Sequence, residues 1–460
     1  MALDSEPLFS GGPGPGPDLL IDLERGDATL HEQLERSLRE QVRSGRLAPG
    51  TRLPSSRALA AQLGISRGVV LEAYAQLTAE GYLSSSQGAP TRVALVPALE
   101  RERPPVAATT LGARARYDFD PGVPELISFP RAEWLRSLRT AGREARFDTF
   151  GYGDPRGAPE LRNALMDYLA RVRGAAPEPE HTIVCGGFAQ GFAVVCQSLR
   201  MRGVDQIAVE EPGWTQHRLI AEAAGLEPVP VGVDEQGLVV DELVQSGCEV
   251  VVVTPAHHFP TGVVLSPERR TALLEWAEDE DTLIIEDDYD SELRYDRDAV
   301  GAMQGVAPER IVQIGSTSKR LAPALRLGWV LAPSWLSGAL TYAKALADGG
   351  TPVLSQLALA EFIGRGDLER HLRRMRLRYR ERRAALLHTL ARELPGARPG
   401  GIAAGLFVPV QLPGVDERTL AAAGVGALAF GSGWLALGFA NLSERAIADG
   451  VRALAAAAYG

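Results

Sequence analysis

Lys319 stands in the run Gly315-Ser-Thr-Ser-Lys319-Arg-Leu-Ala-Pro-Ala-Leu-Arg326-Leu-Gly-Trp329, just after an apolar, β-rich stretch. A lysine amine can form an imine with an aldehyde once its surroundings lower its pKa. The hydroxyls of Ser316 and Ser318 and the guanidinium of Arg326 are groups suited to hold a phosphate. A second constellation is Leu283-Ile-Ile-Glu-Asp287-Asp-Tyr289-Asp-Ser-Glu-Leu, where apolar residues run directly into carboxylates. Open α/β sheets bind ligands beyond such carboxyl ends of their strands. A carboxylate there can keep a ring nitrogen protonated, with a phenol near a ring oxygen. Asp287, Asp288 and Asp290 would also suit a divalent cation, so this segment alone leaves two chemistries open.

Near the N-terminus the chemistry is that of anion contact. Between residues 30 and 92 the arginines 36, 39, 43, 46, 52, 57, 67 and 92 outnumber the five glutamates, although the whole chain carries a net charge of −10. A basic module on an acidic body is the charge layout of a DNA-binding domain joined to a separate sensor. The spacing of Leu30, Leu34, Leu38 and Val42 predicts a first helix that ends near Gly45. Ser55 and Ser56 are N-cap residues for a short helix carrying Leu59, Ala60 and Leu63, which Gly64 breaks. Ser66 caps a third helix, with Val69, Val70, Ala73 and Leu77 inward and Gly81 as its stop. Helix, glycine turn, helix is the helix-turn-helix pattern. Tyr82-Leu83, through Gln87-Gly88, to Thr91-Arg92-Val93 predicts a hairpin wing.

These groups need elements to position them. The 460 residues, 45% of them apolar, provide for about three modules at roughly 150 residues each. Residues 1–27 read as a flexible leader, 28–93 as the DNA-binding domain and 94–117 as a linker stiffened by Pro97, Pro104 and Pro105. Residues 118–460 alternate short β-rich runs (Ile183-Val184, Val250–Val253, Leu283–Ile285, Ile311–Ile314, Gly328–Leu331) with helical segments, which predicts an α/β domain with a mostly parallel sheet. Cys185, Cys196 and Cys248 have neither paired nor metal-ligand spacing. That excludes a disulfide framework and fits a reducing cytoplasm. No apolar stretch approaches the ~20 residues of a membrane span.

Ser44-Gly-Arg-Leu-Ala-Pro-Gly-Thr-Arg-Leu-Pro-Ser-Ser-Arg57, followed by Leu59-Ala-Ala-Gln-Leu-Gly-Ile-Ser-Arg67, resembles the GntR family of bacterial repressors over about residues 28–93. The resemblance implies a winged helix whose second motif helix enters the major groove. Arg57, Ser66, Arg67 and Gly68 would meet DNA there, with Gln87 and Gly88 at the wing tip. An arginine at the start of such a helix can grip guanine O6 and N7, while a helix N-terminus suits phosphate oxygens.

Thr254-Pro-Ala-His-His258-Phe-Pro-Thr-Gly262 and Phe150-Gly-Tyr152-Gly-Asp-Pro-Arg-Gly157, read with the lysine and aspartate segments, resemble class I aminotransferases of fold type I, which use pyridoxal phosphate (PLP). With the N-terminal motif, the chain resembles the MocR or GabR type of regulator. The implied fold is a winged helix followed by a parallel-rich sheet with flanking helices and a small C-terminal α+β subdomain from about residue 390. The resemblance makes Lys319 the Schiff-base lysine, Asp287 the partner of the pyridine nitrogen and Tyr289 a neighbour of the ring oxygen. Trp214 would stack on the ring. Ser316, Ser318, Arg326 and the backbone at Phe188-Ala189 would hold the phosphate, with Tyr152 reaching the phosphate of a neighbouring subunit in a homodimer.

Three positions depart from the enzyme pattern. Phe259 stands where Asn is usual before Pro-Thr-Gly, and Gly187-Phe-Ala-Gln190 lacks the hydroxyl of the usual phosphate loop. Leu435-Ala436-Leu-Gly-Phe439 has Ala436 where enzymes place the arginine that clamps a substrate α-carboxylate. The expected function is therefore a regulator of promoter DNA that senses PLP or a small amine or amino acid, without full transaminase turnover. The alternative is an active aminotransferase with an attached DNA-binding module. The dense arginines from Arg370 to Arg383 read as the solvated face of a long linking helix, with Leu368, Leu372, Met375 and Tyr379 inward, rather than as a second DNA surface.

Overall fold

Thr29 opens the first helix, its side chain accepting from the Glu32 N–H while the Glu32 carboxylate accepts from the Thr29 N–H at 2.9 Å. This reciprocal cap satisfies two donors that a helix start leaves unpaired. The computed structural model describes residues 28–86, 89–94, 115–279, 282–296 and 300–459, together with Leu19, Ile21 and Leu23. The chain divides into two units, residues 1–109 and 110–460.

In the first unit, helices α1 (Leu30–Arg43), α2 (Ser56–Leu63) and α3 (Arg67–Ala79) precede a hairpin of β1 (Leu83–Ser84) and β2 (Arg92–Val93). Ser55 Oγ accepts from the Ala58 N–H, and Gly64 closes α2 in the left-handed conformation at φ +66°. Leu34, Leu38, Leu59, Val70, Ala73 and Leu77 form the core, while Leu30 and Val42 are half-buried at its edge. Tyr74 joins this core, a role its sequence position did not announce, and its hydroxyl donates to the Pro54 carbonyl at 3.0 Å. The expected wing tip, Gln87 and Gly88, lies outside the described residues.

The second unit is built on eight strands: β3 (Thr182–Cys185), β4 (Gln206–Glu211), β5 (Glu227–Asp234), β6 (Gly237–Leu238), β7 (Val250–Val253), β8 (Leu283–Asp288), β9 (Ile311–Ser316) and β10 (Gly328–Leu331). They join in the order β3-β10-β9-β8-β7-β4-β5-β6. Strands β9, β8, β7, β4 and β5 pair in parallel, whereas β10 and β6 run antiparallel to their neighbours. Every residue of β7, β8 and β9 is buried, as strands covered on both faces require. Helices α4 (Phe188–Met201) and α5 (Thr215–Ala223) follow β3 and β4.

The long helix α6 (Asp367–Glu393) buries Leu368, Leu372, Met375 and Tyr379. Beyond it lies a four-stranded antiparallel sheet in the order Arg398–Pro399, Phe407–Gln411, Trp434–Gly438, Leu428–Phe430. Tyr117–Asp118 pairs in parallel with Val425–Gly426, so the last residue of the expected linker is held by the small subdomain. Among the described residues, no helix is long and apolar enough to cross a membrane.

Candidate cofactor site and nucleic-acid interface

The parallel strands β8 and β9 end side by side, so their terminal residues and the loops that follow open into one cavity of about 370 Å³. Lys319, Ser316, Ser318 and Arg326 line it from the β9 side, and Asp287 and Tyr289 from β8. Phe188, Ala189 and Trp214 complete the group of expected residues that meet there.

The Lys319 Nζ donates to the Gly122 carbonyl. Burial pushes its amine below the usual lysine range, with Asp120 pulling the other way. A desolvated amine of this kind is the nucleophile that imine formation needs. Asp287 is buried, with Oδ2 at 3.1 Å from His217 Nε2, while Oδ1 has no partner. Burial pushes its carboxyl up, and the His217 hydrogen bond opposes that shift. A buried carboxylate oxygen without a donor is costly, and a protonated ring nitrogen would satisfy it. The Tyr289 hydroxyl donates to the His257 carbonyl at 2.8 Å and lies 3.2 Å from His257 Nδ1.

The candidate phosphate cradle depends on backbone as much as on side chains. Phe188 and Ala189 begin α4, so their N–H groups sit at a helix start, where anions bind. Gly187 precedes them at φ +96°, and a Cβ there would lie 3.3 Å from an Arg326 guanidinium nitrogen. Glycine thus lets Arg326 rest against the loop. Arg326 itself adopts φ +50°, alone among the described non-glycine residues. The aromatic wall is Trp214, edge-on to Phe188 and to His217 at 5.6 and 5.2 Å.

The acidic segment at the end of β8 does not converge on a cation. Asp287 turns to His217, Asp288 to Arg173 at 3.1 Å and Arg320 at 3.4 Å, and Asp290 to His257 at 2.8 Å. Tyr152 is not brought to the cavity by its own chain; it is fully exposed, near the exposed Phe147 and Phe150. Ala436 is fully buried, opposite Pro409 in the small sheet, and does not line the cavity. Lys319 and Arg326 are the cationic side chains of its wall. His217, His257 and Gly122 escaped the sequence reading. The Trp214-x-x-His217 spacing, one helical turn, could have pointed to His217; nothing local marks the Gly122 carbonyl.

At the other end of the chain, Arg57, Ser66, Arg67 and Gly68 are all exposed. Ser66 Oγ caps α3 by accepting from the Val69 N–H, and Arg67 Nε donates to Ser56 Oγ at 3.3 Å, tying α3 to α2. A Cβ on Gly68 would meet only Ser66 Oγ, at 3.7 Å, so the start of α3 is open to close approach.

Residues 129–454 match the family of class I and II aminotransferases, and residues 30–93 match the bacterial regulatory proteins of the gntR family. The chain is 34% identical over 432 residues to the HTH-type pyridoxine biosynthesis transcriptional regulator PdxR of Corynebacterium glutamicum, covering 92% of this chain and 93% of that one. It is 34% identical over 397 residues to the probable rhizopine catabolism regulatory protein MocR of Rhizobium meliloti, covering 82% and 80%. Among solved structures, the α-aminoadipate aminotransferase LysN of Thermus thermophilus, complexed with N-(5'-phosphopyridoxyl)-L-leucine, matches with a TM-score of 0.66 at 25% identity, over 74% of this chain and 91% of that one.

PLP is the cofactor of this fold, and the desolvated lysine, the partnerless Asp287 oxygen and the helix-start cradle fit it. The chain therefore belongs to the family of helix-turn-helix transcriptional regulators in which a gntR-type DNA-binding domain precedes a class I and II aminotransferase domain.

Proposed function

We propose that this protein senses PLP itself and converts its occupancy into a change of promoter affinity. The observation that carries this reading is the cavity wall: among the described residues its cations are Lys319 and Arg326, both assigned to PLP, which leaves none to receive a substrate carboxylate. Similarity to a regulator of pyridoxine biosynthesis supports the same effector.

Bound there, PLP supplies an electrophilic aldehyde and an electron-withdrawing ring. Lys319 is its attachment point, and Asp287, backed by His217, holds the proton on the ring nitrogen. Tyr289 would face the ring oxygen and Trp214 would cover the ring. Ser316, Ser318, Arg326 and the N–H groups of Phe188 and Ala189 hold the phosphate. Tyr152 serves the site of a second copy in a cytoplasmic homodimer, which its full exposure in one chain supports. With domain limits near 28–93 and 118–460, coupling requires that PLP bind the DNA-competent and incompetent states with different affinity. An active aminotransferase, the other reading, would need a substitute for the arginine that Ala436 replaces.

The test is to titrate PLP into the full chain, following its visible absorbance and its affinity for DNA upstream of its own gene. Lys319→Ala should abolish both the absorbance of lysine-bound cofactor and the response of DNA affinity to PLP. A Lys319→Ala protein that keeps either signal overturns the assignment.

A further inference from the structure

Helix α6 has a face that neither the core nor the cofactor cavity uses. Flanking the buried Leu368, Leu372, Met375 and Tyr379, the residues Arg373, Arg376 and Arg380 recur at helical spacing along one side. Arg373 and Arg380 are exposed and Arg376 is half-buried. Among the described residues, none of the three has a hydrogen-bond or ion-pair partner.

The acids that line the adjoining hollows already have partners. Glu369 is taken by Arg171, Asp296 by Arg294 at 2.8 Å, and Glu292 by Arg320 at 2.9 Å. Two surface hollows of about 440 and 530 Å³ flank the ridge, and Arg373 and Arg376 stand in the walls of both. Arg380 adds its charge to the second hollow, whereas Arg171 and Arg294 are offset by Glu369 and Asp296 in the same walls. Three unpaired guanidinium groups on one strip repel each other, and a polyanion relieves that repulsion.

We infer that this face of α6 is a second contact for DNA, reading phosphates and not bases. The inference rests on the DNA-binding role of α2 and α3, which makes DNA the polyanion this chain binds. Charge complementarity selects the occupant: outside residues 30–92 the chain is strongly acidic, and this strip is a basic exception. From Arg373 to Arg380 the strip runs about 10 Å along the helix axis, the rise of about three base pairs. Arginine forks suit phosphate oxygens in any sequence.

The experiment measures the salt dependence of DNA binding by the full chain carrying Arg373→Gln, Arg376→Gln and Arg380→Gln. Its probes are a short duplex of about two helical turns and a longer one of about six. Each lost phosphate contact should lower the slope of log affinity against log salt by about 0.9. The triple variant should therefore lose between two and three units of slope on the long duplex and bind it roughly tenfold more weakly at low salt. Its discrimination between specific and random sequence should stay unchanged. Arg57→Ala with Arg67→Ala should do the reverse, erasing discrimination, so failure of the helix-turn-helix reading is seen separately. An unchanged slope on the long duplex overturns the inference. Should the triple variant misfold, Arg380→Gln alone must lower the slope by about one unit.

Discussion

Arg57, Ser66, Arg67 and Gly68 reach solvent from one short stretch of chain, held by two serine caps and a glycine turn. Phe188, Trp214, Asp287 and Lys319 meet inside a cavity from four separate segments, each delivered by a different strand end or helix start. The contrast teaches where each function is vulnerable. The groups proposed to contact DNA depend on local backbone geometry and on remaining exposed. The cofactor groups depend on burial, which shifts Lys319 down and Asp287 up and leaves an acceptor without a donor.

That contrast can be broken by swapping readouts. Arg57→Ala combined with Arg67→Ala should weaken promoter binding by a hundredfold or more, at about 1–3 kcal/mol per base-reading arginine, and leave PLP absorbance untouched. Loss of the absorbance in that variant would show that the two units do not carry separable functions. Gly187→Ala should act the other way: a side chain at φ +96° beside Arg326 costs on the order of 1–3 kcal/mol. PLP affinity, read by absorbance titration, should fall about tenfold or more while DNA affinity without PLP holds.

Ser66→Ala removes an N-cap worth about 1 kcal/mol. Thermal unfolding of the N-terminal unit should move down by a few degrees, with no change in PLP affinity. A pH-dependent effect should come from Glu210→Gln. Burial pushes the Glu210 carboxyl up to about 8, against hydrogen bonds from Thr254 that favour its charged form. Folding thus favours the protonated acid: this contribution is complete below the ordinary carboxylate range and is lost as pH rises toward 8. Glutamine, which stays neutral, should flatten the fall in denaturation midpoint between pH 5 and pH 8. An identical pH slope in the variant would falsify the buried-acid assignment.

The winged-helix unit was legible because its determinants are local. Caps at Ser55 and Ser66, the break at Gly64 and leucines at helical spacing each act within a few residues. The β-runs of the body were legible for the same reason, since strands buried on both faces read as unbroken apolar runs. The neighbours of those strands were not. The sequence does not place His217 under Asp287, nor His257 between Tyr289 and Asp290, because strand order sets those contacts. By sequence the three aspartates at and just beyond the end of β8 are equally able to bind a metal. Only packing shows that Arg173, Arg320, His217 and His257 draw them apart.

Side-chain chemistry and local spacing by themselves determined that this chain has a helix-turn-helix, an α/β body and a lysine flanked by hydroxyls and an arginine. Covalent neighbours and helical period are properties of the chain alone. Tertiary structure decided what those residues face. It desolvates Lys319, leaves Asp287 Oδ1 waiting for a donor, hides Ala436 inside a sheet and leaves three arginines along α6 without partners among the described residues. Dielectric, exposure and pairing arise only when distant segments pack together.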